Sequence, residues 1–204
     1  YGGGFNHFDL VDTKTGEKFS SAQALTKDIV VIAFICNHCP YVVKIINEFS
    51  KLAKATQDFV QFVAISANDP DYRQEDSPDN MKIFAQEHGF IFPYLFDKSQ
   101  EVAKSFDAVC TPDIFVYKKI KKMPSGAIKG ADARLTSPEQ TQLTDASMSI
   151  VKDESNAADD TLEFGLVYRA RFEDLSKALN DLRDNDMTSF EQLPSIGCSI
   201  KWSS

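Results

Sequence analysis

The chain has 204 residues, 43% of them hydrophobic, and a formal net charge of −8 at pH 7. That is enough apolar material for a full core, and the negative charge argues against nucleic acids and anionic membrane surfaces as partners. No apolar run approaches the roughly 20 residues a bilayer span needs, and four cysteines with one obvious pair do not resemble a disulfide-stapled secreted scaffold. The expected compartment is the cytoplasm. The periplasm or an organelle stays open, because the chain starts at Tyr1 and a leader could have been trimmed.

The first expected element is a hairpin. Phe8–Val11 and Lys18–Phe19 flank the turn-rich Asp12-Thr13-Lys14-Thr15-Gly16-Glu17. The run Ile29–Ile35 has the length and β-branched content of a buried strand. Cys36-Asn37-His38-Cys39-Pro40 follows directly, and Val42, Val43, Ile45, Ile46, Phe49, Leu52 and Ala53 then repeat with helical spacing. The spacing predicts a helix whose first turn carries both cysteines.

Two thiols spaced C-x-x-C are close enough to form a disulfide. At a helix start, unpaired N–H groups and the positive helix end favour a thiolate. A zinc site would need a second ligand pair, whereas Cys110 and Cys198 are single and His7 and His88 isolated, so the expectation is redox chemistry without metal or cofactor. Cys36, nearer the helix end, is expected to be the exposed attacking sulfur, and Cys39 the more buried resolving one. A protonated His38 between them would add positive charge and stabilise the Cys36 thiolate, making the pair a better oxidant.

Further strands are expected at Phe59–Ile65 and Pro93–Phe96. Between these, Ser77-Pro78 starts a helix that Gly89 stops, and Asp97-Lys98-Ser99-Gln100 has capping-box spacing and opens another through Phe106. Val109-Cys110-Thr111-Pro112-Asp113 then precedes the apolar strand Ile114–Tyr117. A proline just before a strand cannot donate to the ladder, and a cis bond in a tight turn is one reason to place it there.

About 45 residues follow where a tight hairpin is expected. They run from basic (Lys118, Lys119, Lys121, Lys122) to acidic (Asp153, Glu154, Asp159, Asp160, Glu163), and read as a solvated insertion or as a partner-docking or lid element. Leu166–Ala170 is the last expected strand. Phe172, Leu175, Leu179 and Leu182 stripe the last expected helix. The tail, Gly197-Cys198-Ser199-Ile200-Lys201-Trp202, looks too short for another element, with Ile200 and Trp202 as its anchors. Cys198 reads as a packing residue or as a third thiol delivered to the site, and Cys110 as a small buried hydrophobe or a further redox thiol.

Strands alternating with helices imply an α/β fold, a mixed sheet flanked by helices. We expect a single domain over 1–204, with core 5–119 and 164–185, insertion 120–163 and tail 186–204.

The C-x-x-C after a strand together with Thr111-Pro112 resembles the thioredoxin superfamily, in which a Thr-Pro with a cis bond faces the C-x-x-C helix. More narrowly the chain is similar to the redoxin, or AhpC/TSA, group. One bacterial branch of it carries Asn-His-Cys-Pro-Tyr-Val, a Cys-Thr-Pro loop and a terminal Gly-Cys-Ser-Ile-Lys-Trp, which stand here as Asn37–Val42, Cys110–Pro112 and Gly197–Trp202. The resemblance spans about residues 5–120 and 165–202. It implies a thioredoxin-like fold, with Cys36, His38, Cys39, Thr111 and Pro112 at a catalytic site that acts on protein or small-molecule disulfides and thiols in redox homeostasis.

Two departures bear on mechanism. Ile35 stands where general thioredoxins have tryptophan. Peroxide-reducing relatives use Thr-x-x-Cys, and here Cys36 takes the threonine position while Cys39-Pro40 match the peroxidatic cysteine and its proline. Arg134 and Arg169 are candidates by type alone for the arginine a peroxidase wants beside its sulfur. Disulfide exchange therefore leads. Thiol peroxidase is the alternative, and soft-metal binding, for example Cu(I) on Cys36 and Cys39 with His38 or Cys198, a third reading.

Overall fold

The computed structural model describes residues 4–121 and 162–203. All but the ends of the 120–163 insertion lies outside the described residues. The chain starts with β1 (Asp9–Asp12) and β2 (Lys18–Ser20), then β3 (Ile29–Phe34), α1 (Pro40–Thr56), β4 (Val60–Ser66) and α2 (Pro78–Glu87). It continues through β5 (Tyr94–Phe96), α3 (Glu101–Ser105), β6 (Cys110–Thr111), β7 (Asp113–Lys121), β8 (Leu162–Ala170), α4 (Leu175–Asp184) and β9 (Cys198–Ser199).

Seven strands form one mixed sheet in the order β2-β1-β5-β4-β3-β7-β8. β3 runs parallel to β4 and antiparallel to β7, which places it near the centre with a neighbour on each edge. All six of its residues are buried, as a continuous apolar strand covered on both faces should be. Its side chains alternate between two cores. Ile29, Val31 and Ala33 pack with Val42, Ile46 and Phe49 of α1, Met81 and Phe84 of α2, and Leu175 and Leu179 of α4. Val30, Ile32 and Phe34 pack on the other face with Phe8, Ala103 of α3, Phe106 and Phe115. This sheet with helices on both faces is thioredoxin-like, and β3 and α1 are joined by the C-x-x-C loop.

The expected N-terminal hairpin forms, with Leu10 opposite Phe19 and Val11 opposite Lys18. Ser77 caps α2 by accepting the Asn80 N–H, and Gly89 ends that helix at φ +62°, a left-handed conformation that favours glycine.

Three local expectations are corrected. First, neither cysteine lies in the first turn of α1. Pro40 is the first helical residue, and the ring of a proline pushes the residue before it out of helical geometry, so Cys39 becomes an extended N-cap at ψ 122°. Cys36 sits in the loop before it. Second, no capping box opens α3 at Asp97. The helix starts at Glu101 after Gln100 takes φ 63°, and the buried Asp97 carboxylate instead accepts the Ala103 N–H at 2.8 Å. Third, the tail does form an element. β9 pairs antiparallel with β6, setting Cys198 opposite Thr111 and Ser199 opposite Cys110.

Candidate active site

The site is assembled from four short segments: the loop between β3 and α1, the Arg73–Ser77 turn before α2, the β6–β7 junction, and the β9 tail. At the junction the Thr111–Pro112 peptide bond is cis. The Thr111 backbone and side chain then reach the two sulfurs at different atoms. Cys36 Sγ lies 3.4 Å from Thr111 Oγ1, and the Cys39 thiol lies 3.3 Å from the Thr111 carbonyl oxygen. Both cysteines are fully buried, so Cys36 is not the exposed sulfur the sequence led us to expect. A groove lined by Tyr41, Lys44, Pro112, Arg171, Phe172 and Ile196 opens beside the cis-proline loop.

The C-x-x-C loop is held from below by Asp76, which is buried and was not singled out from the sequence. Its carboxylate accepts the backbone N–H groups of Asn37 at 2.8 Å and His38 at 3.3 Å, and the side-chain amide of Asn68 at 2.9 Å. His38 Nδ1 meets the same carboxylate at 2.5 Å. Asn37 is fixed in turn by donating to the Glu75 carbonyl and by accepting from the Tyr94 hydroxyl, both at 2.8 Å. Arg73-Gln74-Glu75-Asp76 reads as an ordinary polar loop ahead of a helix cap, and nothing in its pattern reveals that one carboxylate turns inward.

This arrangement biases the two thiols in opposite directions. Cys36 is pushed far above the ordinary thiol range because its proton is held in the hydrogen bond to Cys39. Burial and the nearby Asp76 carboxylate add to that. Cys39 is lowered to about 4, chiefly by accepting that hydrogen bond from Cys36, with further help from Thr111, the Val42 backbone N–H and the Cys198 thiol. The Val42 N–H makes no full capping bond to the sulfur, yet as a free donor at a helix N-terminus it still favours an anion there. Cys39 is therefore biased toward the thiolate and Cys36 toward the thiol, opposite to the bias expected from position alone.

His38 also acts differently from expectation. Its ring is spent on Asp76, so any charge it carries is matched by that carboxylate. The charge that reaches Cys36 is the negative one of Asp76. The donor atoms of Cys36, His38 and Asp76 lie within 4.8 Å of one another, close enough in distance to surround an ion. His38 Nδ1 and the Asp76 carboxylate are engaged with each other, and that carboxylate also holds the backbone N–H groups of Asn37 and His38 and the Asn68 amide.

Cys110 and Cys198 flank the pair through the small β6–β9 sheet. Both are partly buried. Cys110 is pushed up to about 11, first by burial and then by Asp113, and its thiol lies 3.8 Å from the Pro112 carbonyl. Cys198 is also raised, by burial first and then by its hydrogen bond to Cys39. Gly197 permits this approach. A Cβ there would lie 2.0 Å from the Thr111 carbonyl oxygen and 2.6 Å from its carbon, so only glycine lets the tail lie so close to the cis-proline loop.

The rest of the tail is tied down in series. Ile200 donates to the Val109 carbonyl at 3.2 Å, Lys201 N–H to Asn68 Oδ1 at 3.0 Å, and Ser203 N–H to Gln100 Oε1 at 2.9 Å. Ile200 is buried and serves as the expected anchor. Trp202 does not, being 41% exposed with the Lys104 ammonium 5.6 Å from its ring centre. Arg169 is engaged by Asp113 at 3.2 Å and by Asp107 at 3.6 Å, with its guanidinium over the Phe115 ring, while Arg134 lies outside the described residues.

The described geometry can hold a thiolate beside a protonated thiol, and that is the chemistry of a redox thiol protein. Solved structures and a protein family resemble the chain as follows. An uncharacterized conserved protein from Geobacillus kaustophilus has 30% identity over 99% of this chain and 92% of its own, with a TM-score of 0.73. A hypothetical protein from Sinorhizobium meliloti 1021 has 27% identity over 100% and 94%, with a TM-score of 0.74. A thiol:disulfide interchange protein of Chlorobium tepidum TLS is 22% identical over 57% and 78%, with a TM-score of 0.48. No curated protein matches the chain. The profile of the AhpC/TSA family matches residues 2–124, which include both cysteines of the pair and the Thr111-Pro112 loop, and the chain belongs to that family.

Proposed function

We propose that the protein is a thiol–disulfide oxidoreductase that cycles between a Cys36–Cys39 dithiol and its disulfide. The observation that carries this reading is the shared seat of the two sulfurs on Thr111, with Cys39 biased to the thiolate and Cys36 to the thiol. A thiolate beside a protonated thiol is the reduced form of an exchange site: the anion forms the bond to sulfur and the neighbouring thiol completes the internal disulfide. Its substrates are protein or small-molecule disulfides and thiols. The groove beside Pro112 offers a surface on which an extended partner segment can rest.

Peroxide reduction is the second reading, because Cys39-Pro40 occupies the peroxidatic position. Against it, Arg169 is taken up by Asp113 and Asp107, and Cys36 replaces the hydroxyl that would position a peroxide.

Insulin reduction and peroxide consumption, run on the wild type, Cys36→Ser and Cys39→Ser, test the proposal. We expect insulin reduction that Cys39→Ser abolishes and Cys36→Ser weakens, alongside slow peroxide consumption. Fast peroxide turnover that survives Cys36→Ser and is lost in Cys39→Ser would replace the exchange reading with the peroxidase one.

A further inference from the structure

Resting on the exchange reading above, we propose that Cys198 is a catalytic thiol: it meets the substrate first and passes the disulfide inward to Cys39. The geometry raises a problem that only a third sulfur solves. Cys36 and Cys39 are fully buried, so neither can be approached in line by a disulfide carried on a bulky partner. Cys198 is only partly buried, packs against the cluster that contains both buried cysteines, and stands opposite Thr111, the residue on which both buried sulfurs are seated.

The placement is built rather than incidental. The Thr111–Cys198 pairing sets the register, the missing side chain of Gly197 sets the closeness, and Ile200, Lys201 and Ser203 hold the strand down beyond it. Cys110 is less suited, since its thiol points to the Pro112 carbonyl and it faces the Asp113 carboxylate.

The chemistry balances in three steps. In the reduced site the Cys39 thiolate serves as the base, taking the Cys198 proton as the substrate disulfide arrives and becoming a thiol itself. The Cys198 thiolate attacks a substrate disulfide R–S–S–R, forming Cys198–S–S–R and releasing RS⁻, which takes the proton back from Cys39 and leaves as RSH. The Cys39 thiolate then attacks the Cys198 sulfur, forming Cys39–S–S–Cys198 and releasing the second RS⁻. Finally the Cys36 thiol, giving its proton to Cys198 as that sulfur leaves, attacks Cys39 to form Cys36–S–S–Cys39. Two protein sulfurs are oxidised, one substrate disulfide becomes a thiol and a thiolate, and Cys198 ends as it began.

The test uses the full chain and 5,5′-dithiobis(2-nitrobenzoate) as the disulfide, with peptide mapping of the products. In Cys36→Ser, we expect two thionitrobenzoate ions released at the site and a Cys39–Cys198 disulfide in the map. Cys198→Ser keeps both buried cysteines, and its reaction should slow by about tenfold or more. A Cys198→Ser protein that reacts at the wild-type rate, or a Cys36→Ser protein that retains a stable adduct on Cys39, would overturn the relay. Neither result touches the exchange reading. That reading fails separately, if oxidised wild-type protein contains no Cys36–Cys39 disulfide. Circular dichroism of each variant distinguishes a misfolded protein from an unreactive one. Should Cys198→Ser misfold, Cys198→Ala gives the same readout.

Discussion

Two neighbourhoods meet at the sulfur pair, and they differ in what they offer an anion. On the Asp76 side, a buried carboxylate gathers the backbone of the C-x-x-C loop, the His38 ring and the Asn68 amide, and its charge opposes ionisation of Cys36. On the Thr111 side, the helix N-terminus and the neighbouring Cys36 and Cys198 thiols favour an anion at Cys39. Sequence spacing treats the two cysteines as a pair related only by order along the chain. The structure separates them by which neighbourhood each sulfur faces, and this, more than their order, assigns the proton.

The comparison breaks most sharply at Cys39. Cys39→Ser removes the only thiol the site biases toward the anion, so disulfide exchange should be abolished, and the thiolate absorbance expected of the wild type near neutral pH should be missing. Retained exchange would return the attacking role to Cys36.

Asp76→Asn sharpens the contrast from the other side. It removes the charge that raises Cys36 and leaves an amide among four donors to a carboxylate. We expect a loss of about 1–3 kcal/mol in stability, measured by urea unfolding, and a lower titration midpoint for Cys36 when Cys39 is replaced by serine. An unchanged midpoint would mean that Asp76 only shapes the loop.

Gly197→Ala attacks the Thr111 side. Crowding the Thr111 carbonyl should cost about 1–3 kcal/mol, or roughly 2–4 °C in melting temperature for each kcal/mol. The displaced tail should also expose Cys198 to faster alkylation. A melting temperature equal to that of the wild type would show that the tail rides on the cis-proline loop without pressing on it.

The pH dependence has a definite sign. The thiol of Cys39 ionises with a pKa near 4 when folded, against an ordinary 9.0, so its contribution to the reduced protein is fully present above about pH 9 and is lost as the pH falls through about 4. The stability advantage of the reduced wild type over Cys39→Ser should shrink steadily over that window. An advantage independent of pH would show that the thiolate is not stabilised by the fold. His38→Ala should have the smallest effect on the Cys39 titration, because Asp76 already balances the ring. A large upward movement would restore the expectation that this histidine tunes the thiolate.

Most of the fold was legible because it rests on periodicity. The continuous run Ile29–Phe34, the helical stripe from Val42 to Ala53 and the Ser77-Pro78 cap each carry a local signal strong enough to survive packing. The C-x-x-C was legible from its spacing, and the Thr-Pro junction from the resemblance to the thioredoxin superfamily. What was not legible depends on long-range closure. Asp76 earns its role only when the turn before α2 is brought under the loop, and the inward Cys198 only when β9 finds β6 across nearly ninety residues of chain. Gln100 likewise read as part of a capping box, whereas folding gives its amide to the carbonyls of Ala67 and Lys201.

The opposed bias of the two sulfurs also fixes a proton inventory. A free dithiol at neutral pH holds two protons that a disulfide lacks, whereas this reduced pair, with Cys39 biased to the anion, is expected to hold one, on Cys36. Each pair of electrons entering the Cys36–Cys39 disulfide is therefore accompanied by a single proton between about pH 5 and 8. The midpoint potential should then fall by about 30 mV per pH unit in that range, half the slope of an ordinary dithiol, because a tenfold change in a two-electron equilibrium is worth about 30 mV. Relative to such a dithiol, the protein becomes the stronger oxidant as its surroundings turn alkaline. When it reduces a partner it supplies one proton with two electrons, and the second must come from water.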